Sequence, residues 1–342
     1  MIVAIAPNNL LGLNKRPKLK TMLTFYTHQN QQLTVQAAPD IATLWVDMVQ
    51  PTASEDQQIE SFLGISIPTK DDMAEIELSA RLYQEDNAEF MTATIIVNLD
   101  GEAPHKTPIT FILKNNLLVT VRYETPKPFT TYVARAQKAY HAPKASGEFI
   151  MLGLLEALIG RIADTLEKLS SDIDVMSHQI FKQRTQHNAT RKTINLQALI
   201  RQIGSAGDVL SLLQESLVSI GRVNNYHYAS STKATKDVGP TAKMLQRDVG
   251  ALTEQATALS QKITFLLDAT LGLINLEQNQ IIKMFSVAAV VFLPPTLVAS
   301  IYGMNFEHMP ELKWLLGYGW ALGLMAISAI LPYAFSKKKG WL

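Results

Sequence analysis

From residue 155 onward the chain places apolar residues at an average spacing of 3.5. Leu155, Ile159, Ile162, Leu166, Leu169, Ile173, Met176 and Ile180 follow one another at 4-3-4-3-4-3-4. Leu196, Leu199, Ile203, Ala206, Leu210, Leu213, Leu217 and Ile220 follow at 3-4-3-4-3-4-3. Leu245, Val249, Leu252, Ala256, Leu259, Ile263 and Leu266 continue the habit. Heptads sustained over this length predict long helices packed as a coiled-coil-like bundle. The breaks fall at residues 183–191 and 229–240, which are polar; the second ends in Gly239-Pro240. The third helix meets no breaker between Thr241 and Val291 and runs into an apolar stretch, so motion in the bundle would reach that stretch mechanically.

Two stretches lose their polar face altogether. Residues 284–301 read MFSVAAVVFLPPTLVASI and residues 314–335 read WLLGYGWALGLMAISAILPYAF, neither with a charge. A bilayer core takes roughly 20 apolar residues as helix, and a soluble core helix of that length keeps a polar side. Both are therefore expected to cross a membrane. Lys283 precedes the first, and Lys337, Lys338 and Lys339 follow the second, whereas the intervening loop holds Glu307, Glu311 and Lys313. The excess of Lys on the flanks places both of them, and so both termini, in the cytoplasm. Trp314, Trp320, Tyr333 and Trp341 stand near helix ends, where amphipathic aromatics favour the interface.

The pattern before residue 145 is different. LTFYT, QLTVQ and TLWVDMV are short β-rich runs, and EFMTATIIVNL alternates in part. PITFILKNNLLVTVRYE reads as a hairpin turning at Asn115-Asn116, a pair that tolerates positive φ. Residues 101–108 read as a loop. ASEDQQIESFLG has helical spacing with Ser54 as its expected N-cap, and FTTYVARAQKAY as a short helix. The fold class expected is an α+β cytoplasmic domain, then long coiled-coil-like helices, then two C-terminal transmembrane helices.

Composition narrows the chemistry. The formal net charge is +1, so no global field invites nucleic acid. With no cysteine there is neither a disulfide nor a thiolate metal site. The start, MIVAIAPNNLLGLNK, lacks a charged n-region and does not read as a signal peptide. The seven His residues form no i,i+4 pair, which argues against a His-based Zn²⁺ site. His308 reads as a solvated loop residue, Asp71-Asp72 with Glu75 and Glu77 as a solvated helix start, and Asp172 and Asp174 as bundle surface. No phosphate-binding loop and no nucleophile–base motif is present, so neither ATP-driven transport nor an enzyme is indicated.

One row through the first span and its lead-in is smaller and more polar than its neighbours: Asn279, Ile282, Ser286, Ala289, Leu293, Thr296 and Ser300. Such a row suits close helix packing or the lining of a pore, and composition alone leans to packing. Pro294-Pro295 removes two backbone donors and should bend the helix. Neither span holds a carboxylate or His. A bare Mg²⁺ would find no adequate ligand there, and Mg²⁺ surrenders its waters reluctantly, so an ion passing this row would keep its shell. Two spans enclose no aqueous path by themselves, so conduction requires several copies around an axis.

At the end of the first span stands YGMNF, residues 302–306, followed by MPEL, residues 309–312, a second span and a KKKGWL end. This arrangement resembles the CorA magnesium transport family. The likeness is strongest over residues 275–312 and reaches back, more weakly, to about Met22, including IELSAR at 76–81. It implies a funnel-shaped homopentamer in the inner membrane whose first spans line the pore. It implies that the loop residues Gly303, Met304 and Asn305 form a polar ring selecting hydrated Mg²⁺. Asn305 would make first contact through its amide oxygen, Gly303 would allow a sharp turn, and Met304 would pack to hold the loop. The family's pore rings fall on Asn279, Ile282, Leu293 and Thr296, with Ile282 and Leu293 as apolar gates. Closure by internal Mg²⁺ at acidic sites is implied as well. Asp268 matches one such position, its partner carboxylate being left open among Glu85, Asp86 and Glu89. Mg²⁺ is thus both cargo and regulator, with Co²⁺ and Ni²⁺ as further cargo.

The organisation expected is an extension at 1–21, an α/β domain at 22–145, helical bundle and stalk at 146–283, the first span at 284–302, the GMN loop at 303–313, the second span at 314–335 and a basic tail at 336–342. Residues 1–21 precede the family likeness and read as a mis-assigned start or a disordered extension. The partners implied are identical copies, divalent cations and the bilayer. A Zn²⁺ transporter of the same family and a non-conducting membrane scaffold or sensor are the competing readings.

Overall fold

The computed structural model describes residues 22–101, 103–139, 145–182, 196–230, 238–304 and 309–340. The expected extension at 1–21 and most of both expected helix breaks lie outside the described residues. Those described fall into two compact units, one within Met1–His178 and Arg201–Ile263, the other within Gln179–Ile200 and Thr264–Leu342.

The first unit opens with strands β1 (Met22–Gln29), β2 (Gln32–Gln36) and β3 (Thr43–Val49). Three short helices follow: α1 (Ala53–Leu63), α2 (Lys70–Ala74) and α3 (Leu78–Arg81). Strands β4 (Leu82–Glu85), β5 (Ala88–Val97), β6 (His105–Lys114) and β7 (Leu117–Arg122) form a meander. Helix α4 (Lys127–Lys138) comes next. The sheet order is β2-β1-β3-β7-β6-β5-β4, with β3 and β7 its one parallel pair. Every residue of β3 and β7 is buried, which is why TLWVDMV shows no clean alternation: both sheet faces are covered. Val46, Met48, Val119 and Val121 pack on one face with Ile59 of α1 and Met73 of α2. Trp45 points to the other, where it stacks on Tyr26 at 4.5 Å and meets Phe129 and Tyr132 of α4 at 6.4 and 6.2 Å.

That second face also carries a buried ion pair. Arg122 donates from Nε to Asp47 Oδ1 at 2.9 Å and from Nη2 to Oδ2 at 2.7 Å. Thr120 donates to Asp47 Oδ1 at 2.8 Å and accepts from Trp45 Nε1 at 2.9 Å. The guanidinium lies 4.9 Å from the centre of the Phe129 ring. A buried pair is stable only when its remaining donors and acceptors are met, and here Nη1 also reaches Glu124 O at 2.7 Å.

Local detail departs from the sequence reading in three places. The N-cap of α1 is Thr52, not Ser54, because Thr52 and Glu55 satisfy each other's backbone N–H in a capping box. Strand β6 begins at His105, inside the expected loop. Its Pro108 stands opposite Thr94, whose N–H points away from β6 to Ser219 Oγ at 2.8 Å. The missing N–H of Pro108 therefore faces the other side, beyond the last β6–β7 pair, Ile109 with Arg122, and no ladder bond is lost. Gly239-Pro240 lies within the first turn of the third long helix, where a proline costs no hydrogen bond. As expected, the hairpin turns through Asn115, at φ 55°, and Asp71 and Asp72 start a capped helix.

The long helices are α5 (Gly147–Lys182), α6 (Leu196–Ser230) and α7 (Val238–Tyr302). All eight α5 heptad residues are buried, as are those of α6 from Leu199 onward. Within the first unit Asn224 of α6 donates to Ala242 O of α7 at 2.9 Å, and Lys262 of α7 pairs with Asp174 of α5. In the second unit Phe181 of α5 stacks on Phe265 of α7 at 5.9 Å. There α7 continues through Pro294 and Pro295 to Tyr302, a helix of 65 residues. A 3₁₀ turn, Pro310–Lys313, leads to α8 (Gly317–Lys338). Helix α8 starts past the beginning of the apolar run at Trp314 because Gly317 N–H first closes a turn onto Trp314 O at 3.2 Å.

Candidate ion path

Helix α7 has two distinct sides in the second unit. Advancing about 100° per residue, Val287, Val291, Pro294, Val298 and Tyr302 form a stripe that is buried or half-buried. On α8 the covered positions are Gly317, Ala321, Met325, Ser328, Ala329, Pro332 and Ser336. Small residues on such a stripe let helix backbones approach closely in lipid. Only 6 % of the most apolar window of α7 and 11 % of that of α8 is buried. The helices are therefore not the core of a soluble bundle; apolar side chains such as Phe285, Phe292 and Trp320 stand in the open.

The row Asn279, Ile282, Ser286, Ala289, Leu293, Thr296 and Ser300 lies on the side of α7 away from the covered stripe, and all seven are exposed. Ile282 and Leu293 are 61 % and 65 % exposed. Among the described residues none of the row is buried. The prolines withdraw the donors that Val290 O and Val291 O would otherwise receive. One turn on, the Thr296 hydroxyl donates back to Leu293 O at 2.8 Å and Phe292 O at 3.0 Å. Its oxygen lone pairs are left to accept from outside the helix.

At the end of α7, Gly303 N–H donates to Ala299 O at 2.9 Å and Met304 N–H to Ile301 O at 3.3 Å. Gly303 does not occupy the left-handed region. Its need is space, since a Cβ there would sit 3.1 Å from Ala299 O. Met304 is 48 % exposed. Asn305 and His308 lie outside the described residues. Asp268 is exposed on α7. Among the described residues no three His, Asp or Glu side chains are gathered as a metal site. The two oxygens of Glu89, one of the three candidate partner carboxylates, are taken by His227 at 2.7 Å and Ser230 at 2.6 Å. Hydrogen bonds from those two groups hold its pKa below the ordinary value, although burial alone would raise it. Nothing local in the sequence signals this cluster.

A sequence model of the family described as "CorA-like Mg²⁺ transporter protein" matches residues 41–338. The chain belongs to the CorA family. The magnesium transport protein CorA of Yersinia pseudotuberculosis is 34 % identical over 324 residues, covering 93 % of this chain and 99 % of the relative. That of Escherichia coli K12 is 32 % identical over 325 residues, covering 94 % and 100 %. The complete structure of the CorA magnesium transporter from Methanocaldococcus jannaschii superposes with a TM-score of 0.77 at 17 % identity, covering 95 % of this chain and 100 % of that one. At that identity the likeness carries the fold, and it is the CorA fold: an N-terminal α/β domain, long helices and two C-terminal apolar helices.

Proposed function

We propose that this CorA-family chain is a channel, not an enzyme, that admits Mg²⁺ across the inner membrane as a funnel-shaped homopentamer. The observation that carries the reading is the exposed row on α7, which lies away from the stripe the chain covers for itself, in a span free of charge. Several copies turned with this row inward would enclose a polar path and give each row a partner. Leu271, Leu276 and Ile281, exposed just before the span, favour the same self-association.

The path suits a hydrated ion. Metal-bound water donates hydrogen bonds and needs acceptors. A hydroxyl that donates backward to its own helix, as Thr296 does, offers its lone pairs outward. Ile282 and Leu293 would close the path by dewetting. Gly303, Met304 and Asn305 would form the selecting ring, with the Asn305 amide oxygen on metal-bound water. A divalent ion gains about 4.6 kcal/mol per 100 mV on moving inward, so the membrane potential suffices as driving force. Both termini would be cytoplasmic. Internal Mg²⁺ bound near Asp268 would favour closure, and Co²⁺ and Ni²⁺ would pass as well.

Uptake into proteoliposomes with Mg²⁺, Co²⁺ and Zn²⁺, comparing wild type with Asn305→Ala, tests the reading. Mg²⁺ flux that is present in wild type and lost in the variant is expected. Absence of Mg²⁺ flux in wild type refutes it; Zn²⁺ flux in its place would favour the zinc reading.

A further inference from the structure

Three elements of the first unit meet at His227. The residue lies on the last turns of α6 and is 3 % exposed. Its Nδ1 is 2.7 Å from Glu89 Oε2 on β5, and its Nε2 is 2.9 Å from Glu148 Oε1 in the first turn of α5. Ser230 donates to the other oxygen of Glu89 at 2.6 Å. An ionised carboxylate only accepts, and a neutral imidazole carries one N–H and one lone pair. A neutral ring here would turn a lone pair on one of the two carboxylates. With both carboxylates ionised, both contacts are hydrogen bonds only if both ring nitrogens carry protons. The geometry therefore fixes an imidazolium between two carboxylates, with little water to screen it.

We propose that Glu89, His227 and Glu148 form a proton-held latch that clamps the end of α6 to the sheet and to the start of α5, and that alkaline pH opens it. One turn before His227 on α6, Asn224 holds Ala242 O of α7. The latch thereby also sets where α7 begins.

The charged and titratable surroundings are consistent with one switching group. Glu89 faces the ring from β5 and Glu148 from α5. On α6 itself Tyr226 feels the Glu89 charge, its pKa raised by burial first and by that charge second. From α7, Lys243 lies 5.9 Å from the ring centre of Tyr228, the residue after His227. Burial pushes the His227 pKa down, but the hydrogen bonds to Glu148 and Glu89 outweigh it and hold the value at about 9. Released into water the ring returns to its ordinary 6.5. A group raised in the closed state contributes fully below 6.5 and loses that contribution as pH climbs to about 9. Over that window opening releases one proton, so the closed-to-open ratio falls about tenfold per pH unit, on the order of 300-fold in all.

Denaturant unfolding of the detergent-purified full chain from pH 6 to 9.5 tests the latch without any ion flux, so its failure is separate from failure of the transport reading. Wild type should lose stability across the window, and His227→Gln should be weaker at pH 6.5 and lack that slope. Hydrogen exchange at pH 7 should show protection lost in the variant over residues 220–230 and 238–245. If His227→Gln does not fold, Glu148→Gln, which removes one carboxylate, should still shift the slope to lower pH. Parallel pH profiles for wild type and variants, a flat wild-type profile, or exchange gained evenly along the chain would each overturn the proposal.

Discussion

Replacing Gly147 by alanine should destabilise the first unit by about 2–4 kcal/mol, from a lost hydrogen bond plus overpacking. Gly147 opens α5 and donates its N–H to Asn116 O, in the β6–β7 turn, at 2.9 Å. A Cβ at this position would stand 2.3 Å from Leu118 N, 2.7 Å from Leu117 C and 3.0 Å from Asn116 O. All three are backbone atoms of a fully buried strand and its turn, so no side chain can swing aside. Relief requires α5 to back away by about 1 Å, since close-packed atoms sit roughly 3.5 Å apart. That movement breaks the Gly147–Asn116 bond and draws neighbouring Glu148 off His227. The helix-propensity gain from Gly to Ala is at most about 1 kcal/mol in a helix interior and smaller at a first turn, so it does not reverse the sign. Gly160→Ala is the control: it lies on the same helix, exposed, with nothing within 4 Å of its Cβ position, and should stabilise slightly. Urea unfolding of both variants in detergent reads the difference. A Gly147→Ala protein as stable as Gly160→Ala would refute the packing argument.

Two further outcomes are expected. Asp47→Asn leaves Arg122 buried without its counter-charge and should cost about 3–5 kcal/mol, read by the same unfolding assay; a loss below about 1 kcal/mol would mean that water reaches the guanidinium. Asp268→Asn should weaken the protection that Mg²⁺ gives against limited proteolysis, and a Mg²⁺ dependence identical to wild type would remove Asp268 from regulation.

What the sequence made legible follows from how local each signal is. The α5 row from Leu155 to Ile180 could be read because a heptad repeats the same physical demand over many turns, and its residues are buried as the spacing required. The charge-free spans could be read because lipid imposes one rule on every position. Single-residue choices were harder. Thr52 and Ser54 are both capable caps, and only the reach of Glu55 decides between them. Pro108 looked like loop until its register showed that its missing donor faces no strand. Glu89, Glu148 and His227 are drawn from three distant elements, so no window of sequence contains the latch. The row on α7 was visible as a pattern, but its exposure, opposite a covered stripe, required the structure.

One detail of the sheet bears on how the protein must be handled. Strand β4 accompanies β5 only from Ala88 to Met91, so Thr92–Val97 have no strand beside them on that flank among the described residues. The Thr94 amide is met instead by Ser219 on α6, a helix more than a hundred residues downstream. An unclosed flank of this kind recruits foreign strands. A fragment cut before α6, or a nascent chain that has not yet made it, would present a sticky border of Val and Ile, and its fate would be polymerisation instead of a soluble domain.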